Sequence, residues 1–111
     1  MIHIVSFFFA AMIYVYILYS KRSDKYYIGL TTNVNRRLEE HNNPLVYNKY
    51  TAKHLPWELK VFFKCSDSRG EGLSIERFIK NQKSRLFLEK LIAEKENPEY
   101  FDNLIKNILK K

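Results

Sequence analysis

The sequence predicts a mixed α/β fold of the α+β type, with aromatic strands early in the chain and amphipathic helices after them. Three observations predict it. Residues 14–41, YVYILYSKRSDKYYIGLTTNVNRRLEEH, read as two short strands joined by a polar turn, the second running almost at once into a helix. Residues 57–63, WELKVFF, alternate and then turn fully apolar, which is a third strand. From about residue 70 onward, apolar residues recur at helical spacing.

A chain of 111 residues is one domain's worth, able to bury roughly two thirds of its unfolded surface. With 46% apolar and 28% charged residues, neither disorder nor a fibrous repeat is indicated. The single cysteine, Cys65, can form no intrachain disulfide and no thiolate metal site by itself. That points to a reducing compartment, the cytoplasm, with Cys65 buried at a strand end. The net charge is +7, and it is uneven. Residues 21–65 hold nine bases and four acids, a net of +5; residues 66–111 hold ten and eight, a net of +2. The positive field surrounds the hairpin, the helix after it and the following loop, and a polyanion is its natural partner.

Residues 1–20 carry no formal charge and approach the length of a bilayer span. They lack a basic n-region and a small-residue cleavage site, so a signal peptide is disfavoured. The β-branched and aromatic run Tyr14-Val15-Tyr16-Ile17 suits a strand better than a membrane helix. The expected division is therefore an apolar extension over residues 1–12 and a single domain over 13–111. Met12 offers an alternative start, with residues 1–11 an upstream translated stretch; a membrane anchor is the rival reading of the same segment.

Ile13 to Tyr19 is apolar on both parities, as in a strand covered on both faces. Lys21 to Lys25 is the turn and Tyr26 to Leu30 the return strand, with Gly29 offering room for another backbone to approach. Thr32 or Asn33 can cap a helix whose Val34 and Leu38 face the sheet and whose Arg37 and His41 flank that stripe. Asn42-Asn43-Pro44 ends it. A loop to Pro56 is expected to expose Lys49, Thr51, Lys53 and His54. Asp67 or Ser68 caps a helix expected from about Gly70 to Leu91, with Leu73, Ile75, Phe78, Ile79, Gln82 and Leu86 on its buried face. Gly70 and Gly72 weaken its first turn. Pro98 opens a last amphipathic helix with Phe101, Leu104, Ile105, Ile108 and Leu109 on one side.

If the hairpin closes and the helix folds back over it, Tyr16, Tyr27, Arg37 and His41 converge in one small volume. Each has a plainer reading. The tyrosines can be core aromatics, Arg37 can pair with Glu39 or Glu40, and His41 can complement the helix dipole. Glu76 can form an i,i+4 pair with Lys80.

The order and spacing of the pieces resemble the GIY-YIG nuclease superfamily, in particular its small stand-alone bacterial members. Val15-Tyr16-Ile17 stands where that family has GIY, and Tyr27-Ile28-Gly29 is the YIG, eleven residues on from tyrosine to tyrosine. Arg37-Leu38, His41-Asn42, Thr51 with Lys53, Pro56-Trp57, Leu59, and Ile75-Glu76 with Lys80 continue the resemblance over residues 13–92. The resemblance implies a three-stranded antiparallel sheet flanked by helices and hydrolysis of DNA phosphodiesters with one divalent ion, Mg²⁺ or Mn²⁺, in repair or recombination. It further implies Glu76 as the metal-holding carboxylate, Tyr27 as the phenol that handles the proton of the attacking water, and Arg37 as the cation at the transition state. Tyr16 and His41 would position water and phosphate. Lys49, Lys53, His54 and Lys80 are candidate phosphate contacts, and Gly29 is structural. The expected partner is DNA, with no small-molecule cofactor and with a protein partner supplying specificity. Val15 or, counted strictly, Tyr14 in place of the first glycine, Leu30 after YIG and Gln82 depart from the family pattern. A nucleic-acid-binding module without turnover is the alternative.

Overall fold

The computed structural model describes residues 12–45 and 49–110. Residues 1–11 of the N-terminal extension lie outside them. β1 (Ile13–Ser20) and β2 (Lys25–Thr31) form the hairpin. β3 (Trp57–Ser66) pairs with the other side of β1, so the sheet is antiparallel throughout with order β2-β1-β3. The central place of β1 explains its apolar residues on both parities: Val15, Ile17 and Leu18 are fully buried and Tyr16 is 2% exposed. Between β2 and β3 lie α1 (Val34–His41) and the short α2 (Lys49–Lys53). After β3 come α3 (Arg69–Asn81), α4 (Arg85–Ala93) and α5 (Pro98–Leu109). Among the described residues no helix is long and apolar enough to cross a membrane.

The caps are where polar side chains stand ready to take the first orphan N–H groups. Asn33 accepts from Arg36 N at 3.0 Å, Ser68 from Glu71 N, and Asn97 from Tyr100 N ahead of Pro98.

The sheet separates two cores. On one face Ile13, Val15, Ile17, Leu30, Val61, Phe63 and Cys65 meet Ile75 and Ile79 of α3, Leu88 and Leu91 of α4 and Phe101 of α5. On the other, Tyr16, Leu18 and Trp57 pack with Tyr27, Val34, Leu38, Leu55 and Leu59 under α1. A register shift between Ile17 and Leu18 makes this division work along β3. Ile17 pairs with Val61 but Leu18 with Leu59, leaving Lys60 as an extra residue. Trp57 and Leu59 thereby turn to one face, and Val61, Phe63 and Cys65 to the other, although all five are odd-numbered.

Two expectations are corrected. The single helix over 70–91 is two helices, broken at Gln82 to Ser84. Lys83 takes a left-handed backbone (φ 49°), and Ser84 caps α4 by accepting from Phe87 N at 3.1 Å. The break has a packing cause. Continuing the Ile75/Ile79 face would bury Gln82 and Leu86, whereas the new helix delivers Leu88 and Leu91 and leaves Leu86 78% exposed. Leu73 and Phe78, expected inside, are partly exposed, and Gly72 takes the buried place. Gly72 lets the helix approach the sheet: a Cβ there would stand 3.1 Å from Ile13 and 3.4 Å from Leu30. The second correction is the loop after α1, which contains α2 and buries Thr51 completely. The reason is Trp57, whose indole N–H donates to the Thr51 carbonyl at 3.0 Å.

Candidate functional site

The strand pairing arranges the α1 face of the sheet in rows. From the hairpin turn outward they are Lys25–Ser20–Trp57, Tyr27–Leu18–Leu59, Gly29–Tyr16–Phe62 and Thr31–Tyr14–Lys64. Tyr16 and Tyr27 are thus diagonal neighbours on one face, with ring centroids 6.4 Å apart and planes 26° from parallel. Tyr16 lies down over its cross-strand partner Gly29. A Cβ at Gly29 would stand 2.6 Å from Tyr16 Cε1 and closer still to Cζ and the hydroxyl. The glycine is required by a side chain, where the sequence suggested an approaching backbone.

His41 ends α1 and drops onto this pair. Its Nε2 and the Tyr16 hydroxyl share a hydrogen bond of 2.9 Å, and its ring stands edge-on to Tyr27 with centroids 4.5 Å apart. Asn42, the next residue, fixes that descent. Its side-chain amide donates to Trp57 O at 3.0 Å and its carbonyl oxygen accepts from Trp57 N at 2.6 Å, tying the helix end to the start of β3. Trp57 in turn packs edge-on against Tyr27 at 6.0 Å. Asn42 belonged to the recognisable His-Asn pair, but its brace on β3 is a tertiary contact that spacing does not reveal.

Burial sets the electrostatics. His41 is fully buried, and desolvation, with Arg37 nearby adding repulsion, pushes its pKa down to about 4. The imidazole is neutral at pH 7 and is no dipole-complementing cation. Tyr27 is half-buried above the buried Tyr16–His41 bond. Arg37, one-third exposed, sends Nη1 to Glu40 at 3.2 Å. Tyr16, Tyr27, Arg37 and His41 therefore gather as the sequence anticipated.

Glu76 comes from α3, beside the buried stripe on the opposite face of the sheet. Its side chain is 16% exposed and lies 3.5 Å from Lys80, the i,i+4 pair named as its plainer reading. Its charge also reaches the buried Cys65 thiol, which burial, chiefly, pushes up to about 11. A hard divalent ion takes oxygen donors and can keep most of its water on one or two carboxylates. Glu76 fits that demand, since its carboxylate already draws a cation, the Lys80 ammonium. Among the described residues no group of three or more His, Cys, Asp and Glu could hold a metal, so a fully protein-caged ion has no site among them.

The candidate phosphate contacts fare differently. Lys53 is exposed and Lys80 is paired, and the side chain of Lys49 lies outside the described residues. His54, expected in solvent, is half-buried. Its Nδ1 and Ser23 Oγ share a 2.7 Å hydrogen bond, and its ring packs edge-on against Tyr50 and Trp57. Leu30, the departure after YIG, is 8% exposed in the apolar core on the face away from Tyr27, so no contact at the site is lost with it. Clefts of about 330 and 430 Å³ run along the free edge of β3 beside α5. They hold none of the five candidate residues: Tyr16 and His41 are buried, and Tyr27, Arg37 and Glu76 are partly exposed.

The GIY-YIG catalytic domain matches residues 12–97. A UPF0213 protein of Clostridium perfringens is 40% identical over 97 residues, covering 84% of this chain and all of its own length. A UPF0213 protein of Syntrophus aciditrophicus is 44% identical over 87 residues, 78% of this chain and 93% of its own. One from Haloquadratum walsbyi is 43% identical over 68 residues, 61% of this chain and 73% of its own. By the family model that spans most of its length and by these relatives, the chain belongs to the GIY-YIG nuclease superfamily.

Proposed function

We propose that this protein is a metal-dependent endonuclease that hydrolyses DNA phosphodiester bonds, with Tyr16, Tyr27, Arg37, His41 and Glu76 as its working residues. The observation that carries the reading is the buried Tyr16–His41 hydrogen bond beneath a half-exposed Tyr27, with Arg37 beside it. An apolar core would not gather these groups at such desolvation cost without a use for them.

Cleaving a phosphodiester needs a water, a group to take its proton, and positive charge where negative charge develops. Tyr27 is the more accessible phenol of the group: its oxygen takes the proton of the attacking water while its own O–H proton passes to solvent. Tyr16 and His41 lie beneath it, and their part is to hold the Tyr27 ring in place. A neutral His41 can do this in either tautomer. Arg37 turns its planar fork to the phosphate in exchange for Glu40. That exchange costs little, because an i,i+3 pair one-third exposed contributes only about 0.3–0.5 kcal/mol. Glu76 would hold the single Mg²⁺ or Mn²⁺, displacing Lys80 from its carboxylate. The ion supplies Lewis acidity and charge at the phosphate oxygens.

The test is nicking of plasmid and branched DNA with Mg²⁺ or Mn²⁺. Cleavage is expected to vanish in Glu76→Ala and to fall by 10²-fold or more, an order-of-magnitude figure for removing one such group, in Tyr27→Phe and Arg37→Ala. Full activity in Glu76→Ala would remove the mechanism. A second reading draws on the Arg37–Glu40 and Glu76–Lys80 pairs, which occupy both charged residues. It is a module that binds nucleic acid without turnover, and it predicts salt-sensitive binding with no cleavage under either metal.

A further inference from the structure

The β1–β2 turn is held from both sides of the sheet. On the α1 side, Ser23 Oγ shares its 2.7 Å bond with His54, whose ring adjoins Trp57 and so the Tyr27 group. On the other side, Asp24 takes a left-handed backbone (φ 53°) and is gripped by Arg85 at the start of α4. Arg85 Nη1 donates to the Asp24 carboxylate at 2.7 Å and Nη2 to its main-chain carbonyl at 2.6 Å, while the Tyr19 hydroxyl donates to the same carboxylate at 2.7 Å. The guanidinium also lies over the Tyr26 ring at 5.1 Å. Two of the turn's residues are thus committed to fixing its shape.

The three cations of the same turn, Lys21, Arg22 and Lys25, are exposed, and among the described residues none of them has an ion pair. The cations of the β3 rim differ, since Lys60 pairs with Glu58 and Lys64 with Asp67. Lys25 also shares a strand face with Tyr27, two residues along β2, so their Cα atoms are separated by about 7 Å. A rigid turn carrying three uncompensated positive charges, starting one row from the candidate nucleophile-handling phenol, matches an extended polyanion laid across that row.

We infer that the β1–β2 turn is a preformed phosphate clamp, in which Lys21, Arg22 and Lys25 hold the nucleic-acid backbone next to the scissile phosphate. Ser23–His54 and Asp24–Arg85 keep the clamp in place, so the entropy of ordering a loop is not spent on binding. This rests on the nuclease reading for its orientation. Its own claim is about binding alone.

The test measures the affinity of the full chain for a short fluorescent DNA oligonucleotide by anisotropy, in EDTA, across a salt series. Each lost phosphate contact lowers the slope of log affinity against log salt by about 0.7–0.9. Lys21→Ala/Arg22→Ala/Lys25→Ala is therefore expected to lower it by about 2–3, and to weaken binding on the order of 10²-fold at 0.1 M salt. Arg77→Ala/Lys95→Ala/Lys106→Ala removes the same charge from exposed positions on α3, after α4 and on α5, and is expected to change the slope by less than one unit. Circular dichroism checks that both variants are folded. An unchanged slope in the turn variant, or an equal loss in the control, overturns the clamp. Wild-type cleavage with an unchanged turn slope sinks the clamp and leaves the nuclease. Slope loss at the turn without cleavage under Mg²⁺ or Mn²⁺ keeps the clamp and sinks the nuclease. Absence of DNA binding by the wild type overturns both.

Discussion

The face of the sheet proposed for chemistry and the stability face, which carries most of the apolar core, differ in what they bury. Under α3, α4 and α5 the buried residues are aliphatic or aromatic, with Cys65 the single heteroatom-bearing side chain among them. Under α1 and α2, among the described residues, lie all four buried polar residues: Ser20, Thr31, His41 and Thr51. Burying a polar group costs free energy unless a partner satisfies it. A 111-residue chain could have covered both faces with Leu and Ile. That it does so on one face only sets the two faces apart without reference to any motif, and it implies that they will respond differently to acid and to small steric insults.

Acid gives the largest difference. His41 has a folded pKa of about 4 against an ordinary value of 6.5, lowered chiefly by burial. Between those values the unfolded chain binds more protons than the folded one, so stability falls as pH drops from 6.5 toward 4 and levels off below. The full loss is about 3 kcal/mol. Urea unfolding at pH 7, 5.5 and 4 is expected to show this decline in the wild type and to lose it in His41→Gln, which is less stable at pH 7 but flatter in that window. The carboxylates of Asp24 and Glu94 are held below their ordinary range, chiefly by the hydrogen bonds from Tyr19 and Lys90, and contribute at the acid end equally in both proteins. Equal pH slopes in the two proteins would mean that His41 is not a buried neutral imidazole.

A single methyl group on the chemical face comes next. In Gly29→Ala the new Cβ meets the Tyr16 ring, which is 2% exposed and bonded to His41, so it has nowhere inexpensive to go. Overpacking of this kind costs about 1–3 kcal/mol. In a Tyr16→Leu background the same change is expected to cost less, by a coupling of at least about 0.5 kcal/mol. Additivity of the two substitutions in chemical denaturation would show that the ring is not what Gly29 accommodates.

This asymmetry was only half legible in the sequence. The hairpin, the third strand and the caps were readable because they depend on local pattern and on side chains next to the backbone they serve. The convergence of Tyr16, Tyr27, Arg37 and His41 was readable because strand parity and helix spacing leave few alternatives. The Lys60 bulge was not, since it reverses the faces of an apparently continuous alternation and appears only when β3 is paired with β1. Nor was the break after Gln82. The apolar spacing runs through it, and only the need to bring Leu88 and Leu91 to the core requires it. Thr51 and His54 were misplaced in solvent for the same reason, because their partners Trp57 and Ser23 are distant in sequence. The contacts of Glu76 likewise depend on how α3 docks.

That docking is the subject of the smallest effect, which lies on the apolar face. Gly70 and Gly72 stand within two turns before Glu76 on the same helix and look alike in sequence, as two weak helix formers. A Cβ at Gly70 would meet only Ser68 Oγ at 3.8 Å, ordinary contact in an exposed first turn. Gly70→Ala is therefore expected to stabilise the protein by about 0.5–1 kcal/mol through helix propensity alone, and to leave activity unchanged. At Gly72 the same propensity gain is opposed by Ile13 at 3.1 Å and Leu30 at 3.4 Å. Both neighbours are buried, so the helix has to lift by a few tenths of an ångström, an order-of-magnitude response to such crowding. Gly72→Ala should then gain nothing in thermal unfolding and should carry Glu76, four residues on, with the helix. If cleavage falls in Gly72→Ala while Gly70→Ala keeps it, the packing of the stability face sets the position of a residue that serves the chemical one. Equal stabilisation by both substitutions would show instead that α3 has slack against the sheet.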